Sequence, residues 1–504
     1  MTTSTCLGIS AGGICRSLWW WSIATLQLRP TVPLHRRRNS RARVDPSGPG
    51  LSGSKHTVRL LSFEHATAVL GARVSPGLRR IAANTSWLML DRLARLGVAA
   101  VVSVWIARYL GPTRFGTLSY AIAFVGLFAT LATLGLDNIV IRDLVRVPGE
   151  RHEIMGTAFA LKAGGGAVAA LAALGGIFLL QPHDRTTQIV VAVVAASTIF
   201  TAFDVIDFSF QSEVASKYVV YARLSAFAVS SMVRIALVLV AAPLIAFAGM
   251  ITGEAALAAL GLVLVYRHWG AGSLGLWRRH VSRARALLGE SWPLILGGAA
   301  VAIYMQIDQV MLGQMASAYD VGIYAAAVRL SALWYFIPVT IVSSVFPSIV
   351  RAREVDQQVY MQRILRLFSL MAAIALTIAL PLTFLASPLV TLAFGAPYAA
   401  AGPVLSVHIW SSLFVFWGVA SGPWFIAEGL IRLSLFRTAA GAAANVLLNL
   451  VLIPRYQSMG AAIATVVAYG LAGVLVNAFA SKTRGIFILQ MKSLAFPRYL
   501  LRAS

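Results

Sequence analysis

Trp105–Ala121 reads WIARYLGPTRFGTLSYA, and the way this stretch folds decides the architecture of the chain. An apolar helical run of about twenty residues, the length that crosses a bilayer, enters a turn at Gly111-Pro112 flanked by Arg108 and Arg114. A second apolar run restarts at Leu118, so the stretch reads as two membrane helices joined in a hairpin. A weaker version returns at 312–327 as LGQMASAYDVGIYAAA, with the Leu-Gly step, a later Gly and the Tyr-Ala restart. That echo divides the chain into two halves.

Composition agrees with a membrane protein. The 504 residues are 58% hydrophobic and 12% charged, with a mean hydropathy of +0.77, whereas soluble domains are roughly 25% charged. A net charge of +24 raises nucleic acid as a partner, but the placement of the charge excludes it. Twelve basic residues precede Ile81, and most of the others sit in short segments between hydrophobic runs, as in the cytoplasmic loops of a bilayer protein. The only cysteines, Cys6 and Cys15, lie near the N-terminus, so the body has neither a disulfide framework nor a thiolate metal site. The eight histidines are scattered without metal-ligand spacing, and no cofactor is expected. His408 alone lies well inside a hydrophobic run and reads as a packed or pore-facing residue.

Residues 1–80 form a basic N-terminal extension expected to be poorly ordered, with HRRRNSRAR at 35–43 and Trp19 to Trp21. Its arginines follow a short, interrupted apolar core, which is the wrong order for a signal peptide. A start further downstream, at Val74, is the other reading. About twelve membrane spans are then expected near 86–107, 117–136, 155–179, 188–210, 222–242, 244–266, 291–313, 321–346, 364–386, 403–426, 433–453 and 460–480. The weakest boundary is the fifth to sixth, where only Ala-Ala-Pro at 241–243 intervenes.

Loops after even-numbered spans carry Arg142, Arg146, Arg151, Lys217, the arginines of 267–285, Arg351, Arg353, Arg363 and Arg432, against Arg108, Arg114, Arg185 and Arg455 on the other side. Both termini are therefore expected in the cytoplasm. Six spans per half start each half on the same side, the parallel repeat of many transporters. The expected order is an N-lobe over 81–266, a basic cytoplasmic linker over 267–290, a C-lobe over 291–481 and a cytoplasmic tail over 482–504. The linker is either a positive-inside connector or an amphipathic helix lying on anionic lipid.

Four pieces carry a family resemblance: NTSWLMLDRLAR from residue 84, ARYLGPTRFGTLSYAIAF from residue 107, LGLDNIVIRDLV from residue 134 and NVLLNLVLIPRYQSMGAAIATVVAY at 445–469. In these the chain resembles the polysaccharide transporter or oligosaccharide flippase group of the multidrug, oligosaccharidyl-lipid and polysaccharide exporter superfamily, over residues 80–480. That family usually has Tyr-Gly after the Ile-Pro of the last piece, where this chain has Tyr456-Gln457. The resemblance implies an all-α protein of two six-helix lobes around a central cavity. It also implies transport of a polyprenyl-diphosphate-linked oligosaccharide from the cytoplasmic to the outer leaflet of a bacterial inner membrane, with a glycan polymerase as a further partner.

Charged residues inside spans are costly and usually face a cavity or a partner. Arg92, Arg95, Lys162, Arg234 and Arg329 are the candidate cavity residues, since guanidinium groups suit the phosphates of a lipid diphosphate. Asp91 and Arg95, four apart, can pair on one face. Asp204 and Asp207 share a face and either bind a coupling proton or sodium ion or pair with Arg234 or Lys162. Asp308 is the other candidate for ion coupling and could balance Arg329, and Asn445 and Asn449 are expected to bond between helices. Two further classes compete with this reading. A cation-coupled multidrug exporter would favour an acidic cavity. An integral-membrane enzyme would need a large loop or paired carboxylates, which the loops lack.

Overall fold

The computed structural model describes residues 76–269 and 273–495, with side chains from residue 97 onward. The extension before residue 76, and the side chains of Asp91, Arg92 and Arg95, lie outside the described residues. No strand occurs among those described. Within them, 10 helical stretches are long and apolar enough to cross a bilayer. Two of the stretches are hairpins hinged on one residue, so the described residues hold twelve segments long enough to cross.

Gly111 hinges the first hairpin with φ 69°, a conformation that glycine adopts without steric strain. Arg329 touches both Ser103 and Phe115, which a straight helix would hold about 18 Å apart. Gln457 hinges the last hairpin with φ 48°. There Asp308 bonds to both Asn449 and Thr465, which a continuous helix would separate by about 24 Å. The spans run 76–110, 112–133, Arg151–Leu180, Arg185–Ser212, Lys217–Leu239, Leu244–Trp269, Val281–Met315, Ala318–Val355, Gln357–Phe394, Ala401–Ala427, 431–456 and 458–479. Between the fifth and sixth the helix does break, at Ala241 with φ 54°.

The linker between the sixth and seventh spans is mostly not a separate helix. Of its described residues, 273–280 hold a 3-10 turn, Leu274–Leu276, and extended chain, while 267–269 end the sixth helix and 281–290 begin the seventh. Backbone N–H groups of Arg278 and His280 donate to His152 O and Thr157 Oγ1 at 3.1 and 3.2 Å, which pins the linker to the third span. The seventh helix starts at Val281, ahead of the expected 291, because its polar first turns lie outside the apolar stretch and Arg283 bonds Glu150 and Glu153.

Packing divides the molecule into one shared core and two separate ones. The shared core draws Leu110, Phe115 and Tyr120 from the first half against Leu312, Tyr324, Phe394 and Tyr398 from the second. It lies toward the face that carries the loops after odd-numbered spans. Toward the opposite face each lobe has its own core: Ile139, Met155, Phe208 and Tyr266 in the first, Tyr335, Tyr360, Phe416 and Trp424 in the second. The lobes therefore meet at the odd-loop face and part toward the even-loop face, apart from the start of the seventh span, which Arg142 ties to the first lobe through Glu290.

The sequence echo is the hinge of this arrangement. A Cβ on Gly116 would lie 1.7 Å from Ala318 O, and one on Gly322 would lie 2.0 Å from Pro112 O. The two turns cross reciprocally at backbone contact, as expected for halves related by a two-fold axis along the bundle. Around the crossing, Arg108 Nε donates to Ala393 O at 2.7 Å and Nη2 to Leu392 O. Tyr398 Oη donates to Ala107 O at 2.8 Å, and burial pushes this phenol above its usual range, so it keeps its proton.

Candidate functional site

Three groups of ionisable side chains within the spans have different surroundings. The first is sealed inside the N-terminal lobe. Lys162, fully buried on the third span, places Nζ 3.3 Å from Asp137 Oδ1, 3.9 Å from Asp204 Oδ2 and 4.8 Å from the centre of the Phe208 ring. Arg223 Nη2 donates to Asp204 Oδ1 at 3.0 Å and to Asp207 Oδ2 at 2.8 Å. Asp204, Asp207 and Lys162 are thus brought together, but Asp137 and Arg223 complete the cluster, and Arg234 takes no part in it. Three carboxylates face two cations. Buried ion pairs offset their desolvation only with this kind of multiple hydrogen bonding, and their loss is strongly destabilising.

The second group is at the seam between lobes. Arg234 on the fifth span is buried and paired with Glu254 at 2.9 Å; Ser230 Oγ donates to the same carboxylate at 2.9 Å. Arg329 differs. Its Nη1 donates to Ser103 of the first span, and its guanidinium carbon lies 4.2 Å from the centre of the Phe115 ring on the second. No carboxylate of the described residues pairs with it. It lines a cavity of about 10 Å³ between the lobes, together with Ser119, Gln306 and Gln309. Of the two arginines, Arg234 is thus paired with a carboxylate and Arg329 brings an uncompensated cation to the cavity between the lobes.

The third group is a polar knot inside the C-terminal lobe. Asp308 Oδ1 accepts from Asn449 Nδ2 at 2.6 Å, and Oδ2 accepts from Thr465 Oγ1 and Tyr324 Oη, each at 2.8 Å. Asn449 Nδ2 also donates to Asn445 Oδ1 at 3.1 Å. Asp308 does not balance Arg329. It is held by neutral donors from the eighth, eleventh and twelfth spans, and the buried Asn449 Oδ1 has no hydrogen-bond partner among the described residues. His408, packed nearby, shares a 2.7 Å hydrogen bond with Ser331 Oγ, so the packed reading fits its surroundings.

With this geometry in place, comparison with known proteins is informative. A family model described as "Polysaccharide biosynthesis protein" matches residues 81–353. The chain is 27% identical over 391 residues to a protein of Haloferax volcanii named "Probable flippase AglR", an alignment covering 75% of this chain and 79% of that one. Among solved structures it is similar to an inward-facing multidrug resistance MATE family transporter of the MOP superfamily. That match has a TM-score of 0.65 at 14% identity, covering 80% of this chain and 96% of the other. It is also similar to the lipid II flippase MurJ in an inward closed conformation, with a TM-score of 0.62 at 13% identity, covering 84% and 93%.

Proposed function

Because the chain belongs to the polysaccharide biosynthesis protein family, we propose that it is a transporter that flips a polyprenyl-diphosphate-linked oligosaccharide from the cytoplasmic to the outer leaflet, by alternating access, for surface polysaccharide synthesis. The observation that carries the reading is Arg329. A guanidinium at the closed end of a cleft between two lobes, held by a serine and an aromatic face with no carboxylate of the described residues beside it, is a cation kept for an anion that arrives from outside the protein. A diphosphate meets it with charge-assisted, bidentate hydrogen bonds, while the long lipid tail stays in the bilayer. Arg234 joins by exchanging Glu254 for a phosphate oxygen.

The names of the relatives support this cargo class: one is called a flippase, and another is titled a flippase of lipid II. The Lys and Arg asymmetry of the loops supports an even-loop face in the cytoplasm and both termini there, and the family resemblance is what supports residence in a bacterial inner membrane. The cleft then opens to the leaflet in which the cargo is assembled, and a glycan polymerase on the far side is the natural consumer of the product.

Asp308 is the proposed coupling residue. Its carboxylate is held only by the neutral donors Asn449 Nδ2, Thr465 Oγ1 and Tyr324 Oη, so a coupling proton can neutralise it inside the lobe, whereas a sodium ion has to displace those donors. Asp204 and Asp207, already bonded by Arg223, are better suited to holding the N-terminal lobe together.

The test is surface-glycan export in a depleted strain complemented at normal protein levels. Arg329→Ala, and separately Arg234→Ala, are expected to abolish export. Unchanged export in both would remove these residues from the mechanism. Drug sensitivity of the depleted strain with normal surface glycan would instead favour a cation-coupled multidrug exporter.

A further inference from the structure

Past the twelfth span the chain turns at Ser481-Lys482-Thr483 and forms a short helix, Arg484–Ser493, on the even-loop face. A helix of this length is not stable by itself, and its inner side is built into the second lobe. Ile486, Gln490 and Ser493, spaced four and three apart, are fully buried, and Ile486 joins Tyr360 and Ile364 of the ninth span in the second-lobe core. Gln490 Nε2 donates to Gly473 O at 2.9 Å, and Asn477 Nδ2 donates to the same carbonyl at 3.0 Å and to Gln490 Oε1 at 3.2 Å. Gly473 lies where the twelfth span is π-helical, over Leu471–Leu475. Thr483 Oγ1 donates to Asn477 O at 2.9 Å and to Ala480 O at 3.1 Å, which closes the chain reversal. The inner contacts therefore fix which side of the helix faces outward.

That outer side is both apolar and cationic. Residues three and four apart share a helix face, so Arg484, Ile488, Met491 and Ala495 form one exposed stripe, with Lys492 and Leu494 exposed at its borders. Lys482 in the turn is exposed as well, and Phe479, in the last turn of the twelfth span, is 81% exposed. Arg484 Nε donates to Ala478 O at 3.4 Å. No Asp or Glu follows Glu428 in the sequence, whereas Lys482, Arg484, Lys492, Arg498 and Arg502 fall within its last 24 residues. Water suits the basic groups and not the apolar ones, and a lipid acyl core the reverse; the headgroup boundary of a bilayer suits both. The end of a membrane span, a few residues away, already holds the helix there. A water-soluble acidic partner would match the charges but would also have to cover Phe479 at the end of that span.

We propose that the outer face of the tail helix is a docking surface for anionic phospholipid headgroups of the leaflet at the even-loop face. Ile488, Met491 and Leu494 enter the acyl boundary, and Lys482, Arg484 and Lys492 meet the phosphates. Docking fixes the second lobe against the leaflet at the end where the two lobes have parted. The inference is independent of the cargo, because it needs only that the chain spans a membrane.

The test uses the full-length protein with Cys6 and Cys15 replaced by Ser and Ile488→Cys carrying a nitrobenzoxadiazole fluorophore, in nanodiscs of phosphatidylcholine. Quenching is compared for equal small fractions of phosphatidylglycerol or phosphatidylcholine bearing a doxyl group just below the headgroup. The anionic lipid is expected to quench about fivefold more strongly, the effect of one basic residue near an anionic surface, and high salt should remove that preference. The combined substitution Lys482→Gln, Arg484→Gln and Lys492→Gln, all at exposed positions, should make the two lipids quench alike. Equal quenching by both lipids before that substitution, or a preference that survives it, overturns the proposal. Quenching by neither lipid places the face in water or under protein and overturns it too, and disulfide-linked dimers through position 488 would then assign the face to a second copy of the chain.

Discussion

Adding one methyl group where the two halves cross should bias the protein away from the state described here without unfolding either lobe. A Cβ on Gly116 would sit 1.7 Å from Ala318 O and 2.8 Å from Gly322 N, and one on Gly322 would sit 2.0 Å from Pro112 O. Ordinary carbon contacts begin near 3.5 Å, so the second and eighth spans must separate by roughly 1.5 Å. Every opposing atom is backbone, so no rotamer change relieves the overlap. Overpacking of this kind costs about 1–3 kcal/mol, and it is charged only to the state in which the spans cross. Opening at the odd-loop face removes it. Gly116→Ala or Gly322→Ala should therefore lower the closed population relative to the open one by roughly 5- to 150-fold. The assay is thiol cross-linking of Thr113→Cys with Tyr319→Cys, on facing turns of the crossing, with Cys6 and Cys15 replaced by Ser. Cross-linking should slow at least fivefold and glycan export should fall. An unchanged cross-linking rate with normal export would refute the crossing as a gate, and a lower melting temperature alone would reduce it to a packing contact.

Other consequences follow from single residues. Gln457 holds φ 48° and ψ −127°, a conformation unfavourable to side chains by about 1–3 kcal/mol, partly offset by the greater chain entropy of glycine. Gln457→Gly should raise stability by about 1 kcal/mol in thermal unfolding, and a decrease would mean that the hinge is not strained. Arg223→Met leaves Asp204 and Asp207 facing each other without their shared donor and should cost about 3–5 kcal/mol; unfolding within 1 kcal/mol of wild type would contradict the cluster's structural role. Asp308→Asn should preserve folding while making transport indifferent to an imposed proton or sodium gradient, and a retained gradient response would place coupling elsewhere. Removing the Arg108 strut with Arg108→Ala should weaken odd-loop closure in the same cross-linking assay.

The sequence was most legible where hydrophobic length and turn chemistry act locally. Gly111-Pro112 and Tyr456-Gln457 mark hinges because a single backbone conformation must reverse the chain there, and span ends fall where apolar runs stop. The family resemblance, carried by those two hairpins and by the stretches from residues 84 and 134, holds. The departure from Tyr-Gly at Gln457 proved to be a residue other than glycine in a glycine-favoured conformation. Pairing of charges was much less legible, since it depends on which helices adjoin. Asp204 and Asp207 looked toward Arg234 or Lys162, yet Arg223, on the neighbouring face of the fifth span, takes both, and Glu254 takes Arg234. Asp308 found neutral donors and not Arg329. Arg437 is hard to read from sequence because it lies near the start of its span, where a long side chain ordinarily snorkels to the surface, yet the structure buries it over the Phe425 ring.

The most direct test of the account is leaflet exchange in proteoliposomes. A polyprenyl-diphosphate-linked oligosaccharide with a labelled sugar, loaded in one leaflet, should become accessible to an external glycosidase only when the protein is present, and Arg329→Ala should return access to the protein-free rate. Exchange no faster than in empty vesicles, or equally fast in the Arg329→Ala variant, would contradict a cationic passage between the lobes.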